Sequence, residues 1–363
     1  MVGTNPQALK AERKDDYFDE AKFAISERKV LAHSGIEPDL IKISNVPIDT
    51  AGNYIRTIEI GTHNEKPTLV LIHGYGGSSV KFWKIAKPLS EQYHLLMIDI
   101  VGMGGSSRPE FGLREPAEVD VYLTEWLERW RQNVYPGQDF KDFVLIGHSF
   151  GGYVSGLYTI QHPQNVRKLI MLSPLGISRI PEGFNLDHEI DKLPESMRPP
   201  KFLIKFISMI WSSMSSPYEL MRKTGPWMSS KLLDFYASKR FTSLHGDELE
   251  DYKEYMKHTL LRPASTDDAL FINFDHLLFA KRPLQDPHKL GGLDKPISFI
   301  FGDRDWMLRH GGEEVLRQNP YTGRYSHMHI VKDSDHHLYF DNPAGLTEAI
   351  LKDLENLHEM PKF

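Results

Sequence analysis

The 363-residue chain contains no cysteine, no long apolar run and no excess of basic residues. Without cysteine it can form neither disulfides nor thiolate metal sites, and it has no cysteine nucleophile. The apolar runs Pro67–Ile72 and Leu95–Ile100 are far shorter than the roughly 20 residues of a membrane-spanning helix. Lysine and arginine number 43 against 49 acidic residues, a balance that argues against nucleic-acid binding.

The first 20 residues are polar and lack the apolar core of a signal peptide, so we expect no secretion. Hydrophobic residues make up 40 % of the chain and charged residues 25 %, which is enough apolar material for a sizeable core. The composition therefore predicts a cytoplasmic globular protein and favours an enzyme.

Short apolar runs alternate with amphipathic stretches along the chain. Because the central runs are apolar throughout, they predict a mostly parallel sheet with helices on both faces, and the first two runs predict an antiparallel hairpin at one edge. The predicted strands are Leu40–Asn45, Tyr54–Gly61, Pro67–Gly74, Leu95–Val101, Phe143–Gly147, Arg167–Leu172, Pro296–Asp303 and His327–Lys332. The predicted helices between them include Ser79–Gln92, Val119–Val134 and Phe150–His162.

The alternation breaks between Gly176 and Pro296, where prolines and helical patterns replace strands. A long helical insertion of this kind is usually a lid over a functional site. We therefore predict a single domain, 1–363, with an N-terminal extension, 1–39, and an inserted helical lid, 177–295.

The segment Gly147-His-Ser-Phe-Gly-Gly152 follows an apolar strand and precedes a predicted helix. In this G-x-S-x-G pattern the serine occupies a strained strand-to-helix turn that only small neighbours permit. Ser149 is therefore the candidate nucleophile, and the N–H of Phe150 is a candidate oxyanion donor. An ordinary glycine-rich turn is the alternative interpretation.

A second strand ends in His73-Gly-Tyr-Gly-Gly77. In hydrolases with a nucleophile elbow, this loop supplies another oxyanion donor, and Tyr75 or Gly76 is the candidate here. By itself, the pattern is also typical of any tight turn.

Two later loops carry candidates for the acid and the base, in the chain order Ser, Asp, His. Asp305 follows the strand that begins at Pro296, and Asp303 is its rival for the acid. His336 is the candidate base, and the adjacent His337 is its rival.

Histidines 327, 329, 336 and 337 lie close together in the sequence, which raises the question of a metal site. His327 and His329 share one face of a predicted strand. No cysteine and no His-Glu-x-x-His pattern accompanies them. We expect no metal and no other cofactor.

The chain resembles a known family through several motifs. They are the elbow, Ile98-Asp-Ile-Val-Gly-Met-Gly-Gly-Ser-Ser-Arg-Pro109, Leu172-Ser-Pro-Leu-Gly176 and Arg222-x3-Pro-Trp227. These resemble α/β-hydrolase-domain subfamily four/five, which includes lysophospholipases, N-acyl-phospholipid lipases and lysophosphatidic-acid acyltransferase-type regulators. The resemblance extends from about residue 50 to the C-terminus.

The resemblance implies an α/β-hydrolase fold and a His-x4-Asp acyltransferase motif, met here by His336 and Asp341. The alternative is that this aspartate only precedes the last helix, with Asn342 as its cap. One branch of the family has asparagine at the nucleophile position, whereas this chain has Ser149. Residues 1–50 contain no tryptophan, so we do not expect the Trp-rich N-terminal segment that anchors some members to lipid droplets.

Two functions are consistent with these features. The first is a serine hydrolase or acyltransferase of lipid esters, and the second is a non-catalytic lipid-binding regulator of a partner lipase. Six of the 13 methionines fall in the lid, and the predicted helix Lys201–Met214 is apolar over more than half of its circumference. We expect this lid to contact lysophospholipid and a membrane or lipid-droplet surface. The basic residues that could bind the lipid phosphate are Lys201, Lys205, Arg222 and Lys223. The alternative is that the helix is buried against the core.

Overall fold

The computed structural model describes residues 18–184, 186, 211 and 216–360. Its eight strands form one sheet in the order β1-β2-β4-β3-β5-β6-β7-β8. They are β1 Ile41–Pro47, β2 Tyr54–Ile60, β3 Thr68–Ile72, β4 His94–Ile98, β5 Phe143–His148, β6 Val166–Leu172, β7 Ile297–Gly302 and β8 Met328–Val331.

The predicted α/β-hydrolase fold is confirmed. Strands β3 to β8 run parallel to one another, whereas β2 pairs antiparallel with both β4 and β1, with which it forms a hairpin at the edge of the sheet. Each of the eight predicted strands corresponds to an observed one. The predicted strand Pro67–Gly74 ends early, at Ile72, because the next two residues enter the turn that carries the glycine loop.

Helices cover both faces of the sheet, and we number those of the described residues in chain order. They are α1 Glu20–Ala32, α2 Trp83–Ser90, α3 Pro116–Val134, α4 Phe150–Gln161, α5 Pro217–Lys223, α6 Pro226–Arg240, α7 Gly246–Leu260, α8 Ala269–Asn273, α9 His310–Gln318, α10 Leu338–Asp341 and α11 Pro343–Asp353. No helix among these is long and apolar enough to cross a membrane.

Alternate residues of each central strand face opposite apolar layers. In β3, Leu69 and Leu71 pack into one layer, whereas Val70 and Ile72 pack into the other, and all four are fully buried. Side chains of a strand alternate between its two faces, so a strand buried on both sides must be apolar at every position. This explains the continuous apolar runs in the sequence.

Helix α1 belongs to the predicted N-terminal extension and packs against the core. Phe23, Val30 and Leu31 are buried, and the buried Glu27 pairs with Arg56 of β2. Burial raises the pKa of Glu27, while the Arg56 guanidinium acts in the opposite direction. The pair fixes α1 on the sheet. The division into extension, core and lid stays a prediction.

The predicted lid helix Lys201–Met214 lies outside the described residues, apart from Trp211. The described part of the insertion contains helices α5 to α8 and no named strand. Trp211 donates its indole N–H to the Phe274 carbonyl at 3.0 Å, and its ring lies 4.5 Å from that of Phe271. This residue therefore packs on α8 and the segment that follows it.

Candidate active site

Ser149 stands at the junction of β5 and α4 with a left-handed backbone, at φ 52°. Few residues other than glycine adopt such angles. A Cβ atom on Gly147 would lie 2.4 Å from the Gly151 carbonyl oxygen, and one on Gly151 would lie 2.3 Å from the His73 carbonyl oxygen. Since only glycine fits at both places, α4 begins directly at the sheet edge and Ser149 is held at the tip of the turn.

The glycine loop after β3 reaches the same tip, because β3 and β5 are parallel neighbours. A Cβ atom on Gly74 would lie 2.9 Å from the Ser149 Cβ. The N–H groups of Phe150, Tyr75 and Gly76 donate no hydrogen bond to another described residue. These candidate oxyanion donors therefore remain available beside the Ser149 hydroxyl.

His336 joins Ser149 to Asp305. Its Nε2 lies 3.0 Å from the Ser149 Oγ, and its Nδ1 lies 3.3 Å from the Asp305 Oδ1. His336 lies in the loop after β8, Asp305 in the loop after β7 and Ser149 directly after β5, so three strand ends meet here. The His336 side chain is 6 % exposed and the Asp305 side chain is fully buried.

The Asp305 carboxyl stays ionised despite its burial. Burial raises its pKa, but the hydrogen bond from His336 and the attraction of that imidazole outweigh burial, so its pKa lies below the ordinary value. The Met307 N–H also donates to Oδ1 at 3.0 Å. Asp305 can therefore hold a proton on the Nδ1 side of His336.

The rival acid, Asp303, is exposed and has different partners. Its Oδ1 accepts the Ser334 N–H at 3.1 Å, and that backbone hydrogen bond lowers its pKa. The structure therefore places Asp303 where it supports the loop before His336, with no hydrogen bond to the imidazole among the described contacts.

The rival base, His337, also has another partner. Its Nδ1 lies 2.9 Å from the Tyr339 hydroxyl, and its ring packs 5.2 Å from that of Phe241. Burial keeps its pKa well below the ordinary value, so the imidazole is neutral. No hydrogen bond of the described residues joins His337 to Ser149.

The Asp341 carboxylate braces the segment in front of His336. Its Oδ2 accepts the Asp335 N–H at 3.0 Å, and its Oδ1 accepts the hydroxyl of Ser243 from the lid. Asn342 caps α11, as its Oδ1 accepts the Gly345 N–H at 2.9 Å. The two residues of the predicted acyltransferase motif, His336 and Asp341, thus lie close together. Asp341 accepts a hydrogen bond from the backbone of Asp335, the residue before His336.

Two buried histidines that sequence reasoning did not single out hold the turns of the site. His148 donates from Nε2 to the His336 carbonyl at 2.9 Å, and His73 donates from Nδ1 to the Gly74 carbonyl at 2.8 Å while its Nε2 accepts the Ile100 N–H. Burial lowers the pKa of His73 to about 4 and that of His148 well below its ordinary value. Both rings are therefore neutral supports.

Asp99 organises the loop of the Gly-Met-Gly-Gly motif. Its buried carboxylate accepts the Ser79 N–H at 2.5 Å and the Gly105 N–H at 2.6 Å. A carboxylate directly after β4, followed by glycines, was the signal in the sequence that could have identified this role.

Helix α5, in the insertion between β6 and β7, covers the glycine loop. The Tyr218 ring stacks on that of Tyr75 at 5.8 Å, and its hydroxyl lies where a side chain on Gly76 would project. Arg222 donates to the Leu260 and Arg262 carbonyls, so its guanidinium holds parts of the insertion together. Contact of Arg222 with a lipid phosphate stays a prediction.

The other two histidines of the predicted cluster, His327 and His329, have protein partners. His329 Nε2 lies 3.0 Å from the Asp353 Oδ1, and His327 Nε2 lies 3.3 Å from the Arg324 carbonyl. In the part of the chain that the structure describes, no group of three or more His, Asp or Glu residues is arranged to hold a metal ion.

Comparison with known proteins assigns the family. Residues 67–203 match the model of the alpha/beta hydrolase fold family. A probable 1-acylglycerol-3-phosphate O-acyltransferase from Oryza sativa is 31 % identical over 303 residues, covering 82 % of this chain and 69 % of the relative. A human (lyso)-N-acylphosphatidylethanolamine lipase is 28 % identical over 295 residues, covering 80 % of each chain.

Among solved structures, a bacterial membrane phospholipase A superposes with a TM-score of 0.59 at 21 % identity, covering 93 % of this chain and 92 % of the other. This likeness concerns the fold. The chain belongs to the α/β-hydrolase fold family, in the group of the 1-acylglycerol-3-phosphate O-acyltransferases and N-acylphosphatidylethanolamine lipases.

Proposed function

We propose that this protein, an ester hydrolase or acyltransferase by family, acts on lipid esters through Ser149, His336 and Asp305. The observation that carries the proposal is the continuous chain of contacts from Ser149 Oγ to His336 Nε2 at 3.0 Å and from His336 Nδ1 to Asp305 Oδ1 at 3.3 Å. A nucleophile, a base and an orienting acid in this order are the requirements of acyl transfer to serine.

In the first half of the reaction, the Ser149 Oγ attacks the acyl carbonyl carbon and His336 Nε2 takes the hydroxyl proton. The N–H groups of Phe150 and Tyr75 donate to the oxyanion that forms. The ester C–O bond then breaks, and His336 returns the proton to the departing alcohol oxygen. Asp305 stabilises the imidazolium throughout.

In the second half, water or the hydroxyl of a lysophospholipid attacks the acyl-serine, and His336 takes its proton. Collapse of the second tetrahedral intermediate breaks the bond to the Ser149 Oγ, which regains a proton from His336. The product is a carboxylic acid when water attacks and a new ester when a lysophospholipid attacks.

A lipid substrate is supported by the named activities of the relatives and by an exposed apolar surface on α6. This surface, which we term the α6 face, comprises Trp227, Met228, Leu232, Phe235 and Tyr236. The side chains of Trp227 and Phe235 are 70 % and 65 % exposed, whereas Leu233 and Ala237 on the opposite side are buried.

The charge around the α6 face suits an anionic lipid surface. Lys231 and Lys239 are exposed on the same helix, and the Lys239 ammonium lies 6.0 Å from the centre of the Phe235 ring. The acidic Asp234 is paired with Lys257. Helices with aromatic and basic residues on their exposed side bind at the boundary between lipid headgroups and acyl chains. We propose that the α6 face docks the lid on lipid.

Replacing Ser149 with alanine tests the reaction directly. Ser149→Ala removes one oxygen at the tip of the elbow, so we expect the fold to persist and esterase activity to fall towards the ~10⁶-fold loss typical of a missing triad serine. Fluorophosphonate labelling of the wild type, checked by mass spectrometry of the Ser149 peptide, is the matching measurement. A variant that keeps more than about a tenth of the wild-type activity would show that Ser149 is not the nucleophile.

Replacing the two candidate acids separately tests the role of Asp305. Asp305→Asn removes the carboxylate that keeps the proton on His336 Nδ1. The imidazole can then adopt the wrong tautomer, which should lower kcat by about 10⁴-fold. Asp303→Asn, two residues away and exposed, is the matched control and should change kcat by less than about threefold. Steady-state kinetics on a soluble ester measures both. A larger loss in Asp303→Asn would transfer the acid role to that residue.

Replacing Asp341 tests the acyltransferase motif. Asp341→Ala removes the brace beside His336, so hydrolysis and acyl transfer to lysophosphatidic acid should fall by the same factor. Stability should fall by about 1.5–3 kcal/mol, since two hydrogen bonds to a charged group are lost.

The control is Asn342→Ala, which removes the cap of α11 at a cost of about 1 kcal/mol without touching Asp335. The readout is the ratio of the two activities together with urea denaturation. Selective loss of transfer in Asp341→Ala would assign this residue to the acceptor step.

Replacing two residues of the α6 face tests lipid docking. Trp227→Glu combined with Phe235→Glu removes two large apolar side chains and adds two negative charges, so binding to vesicles containing anionic phospholipid should weaken at least about tenfold. Turnover of a short soluble ester should stay at the wild-type level. Leu40→Glu combined with Val121→Glu, at exposed apolar sites outside the lid, is the matched control. Equal vesicle binding by both double variants would exclude the α6 face as the docking surface.

A further inference from the structure

A cavity of about 220 Å³ lies beside the candidate triad, and we term it the side cavity. Its walls are formed by residues 174 and 176–178 after β6, by Phe184, by residues 277–279 and by residues 306–308 after β7. An apolar cavity of about 150 Å³ is large enough to hold benzene, so the side cavity can hold a short hydrocarbon segment.

The side cavity adjoins the reacting groups on the side of the acid. The Trp306 ring lies 5.1 Å from that of His336, and Met307 donates its N–H to Asp305. Pro174 and Gly176 of the lining flank Leu175, which donates its N–H to the Ser149 carbonyl at 3.0 Å. The side cavity therefore borders both the loop that carries Asp305 and the segment that is hydrogen-bonded to Ser149.

The lining of the side cavity is suited to hydrocarbon. Among the described residues it carries no charged side chain, and its main components are proline, isoleucine, leucine, phenylalanine, tryptophan and methionine. The hydroxyl of Ser178 already accepts the Gly311 N–H at 3.0 Å. Nothing in this lining provides a charged group for a polar headgroup.

The backbone is strained at one residue in the wall of the side cavity. Leu278 has a φ of 65°, a left-handed conformation that is unfavourable for a bulky residue. Asp275 holds the turn, as its carboxylate accepts the N–H groups of Leu277 and Phe279, each at 2.9 Å. Glycine or asparagine would adopt this turn without strain, yet the position carries a leucine that contacts the cavity.

We propose that the side cavity binds the hydrocarbon chain of the acyl group carried by Ser149 and that Leu278 is a specificity-determining residue for acyl length. The proposal rests on the function proposed above and adds where the acyl chain lies. Each methylene buried in the side cavity should raise kcat/KM about fourfold until the cavity is filled. Longer chains then extend past Trp306, which is half exposed.

The test is a series of p-nitrophenyl esters from acetyl to dodecanoyl, because the leaving group stays constant while the acyl chain grows. Ile177→Trp fills the cavity and should lower the decanoyl-to-acetyl ratio of kcat/KM at least about tenfold. Leu278→Gly widens it and relieves the strain, so it should raise the dodecanoyl-to-decanoyl ratio without a large fall in Tm. Ile180→Trp, at an exposed position three residues from Ile177 and outside the lining, is the matched control and should leave the profile unchanged.

A second readout does not depend on catalysis. The alcohol 1-decanol should raise the Tm of the wild type and of Ser149→Ala by occupying the side cavity, and it should not raise the Tm of Ile177→Trp. Absence of fluorophosphonate labelling together with this Tm shift would reject the proposed reaction while supporting the cavity.

Other outcomes overturn the proposal. It is wrong if labelling occurs but neither Ile177→Trp nor Leu278→Gly changes the acyl-length ratios. It is also wrong if the two variants alter selectivity only in a series of acetate esters with alcohols of increasing length, because the cavity would then hold the leaving group.

Discussion

The left-handed backbone of Ser149 is the constraint on which the rest of the site depends. The turn exists only because Gly147 and Gly151 approach each other and the neighbouring β3 segment more closely than any side chain allows. This contact starts α4 at the edge of the sheet, with its unbonded N–H groups beside the serine. The parallel strands on either side then end at the same edge, so their loops meet at Ser149.

The buried titratable groups around this turn differ in their charge. His73 and His148 are enclosed and neutral, and each donates one ring N–H to a backbone carbonyl that shapes the site. Asp305 is also buried but faces an imidazole, which keeps it ionised. Structural histidines and the candidate acid therefore differ in charge because of their partners, since all three are removed from water.

The lid presents apolar surface in two directions. Its outer helix, α6, turns aromatic side chains towards solvent, while the turn at Leu278 encloses hydrocarbon-sized space beside Asp305. Between these surfaces, Arg222 binds two backbone carbonyls and Tyr218 covers the glycine loop. The same insertion thus carries both the α6 face, which we propose docks on lipid, and a wall of the side cavity, which we propose holds an acyl chain.

The sequence by itself determined the order of strands and helices and the elbow around Ser149, because continuous apolar runs and closely spaced glycines are local properties of the chain. It left Asp303 and Asp305 open, as it did His336 and His337, since neighbouring residues in one loop have the same local pattern. Only the tertiary structure decided that His336 rather than His337 faces Ser149, and that Asp305 rather than Asp303 faces His336. It also decided the contacts of Arg222 with the Leu260 and Arg262 carbonyls and of Asp341 with Ser243, because these partners lie between 38 and 98 residues away in the sequence.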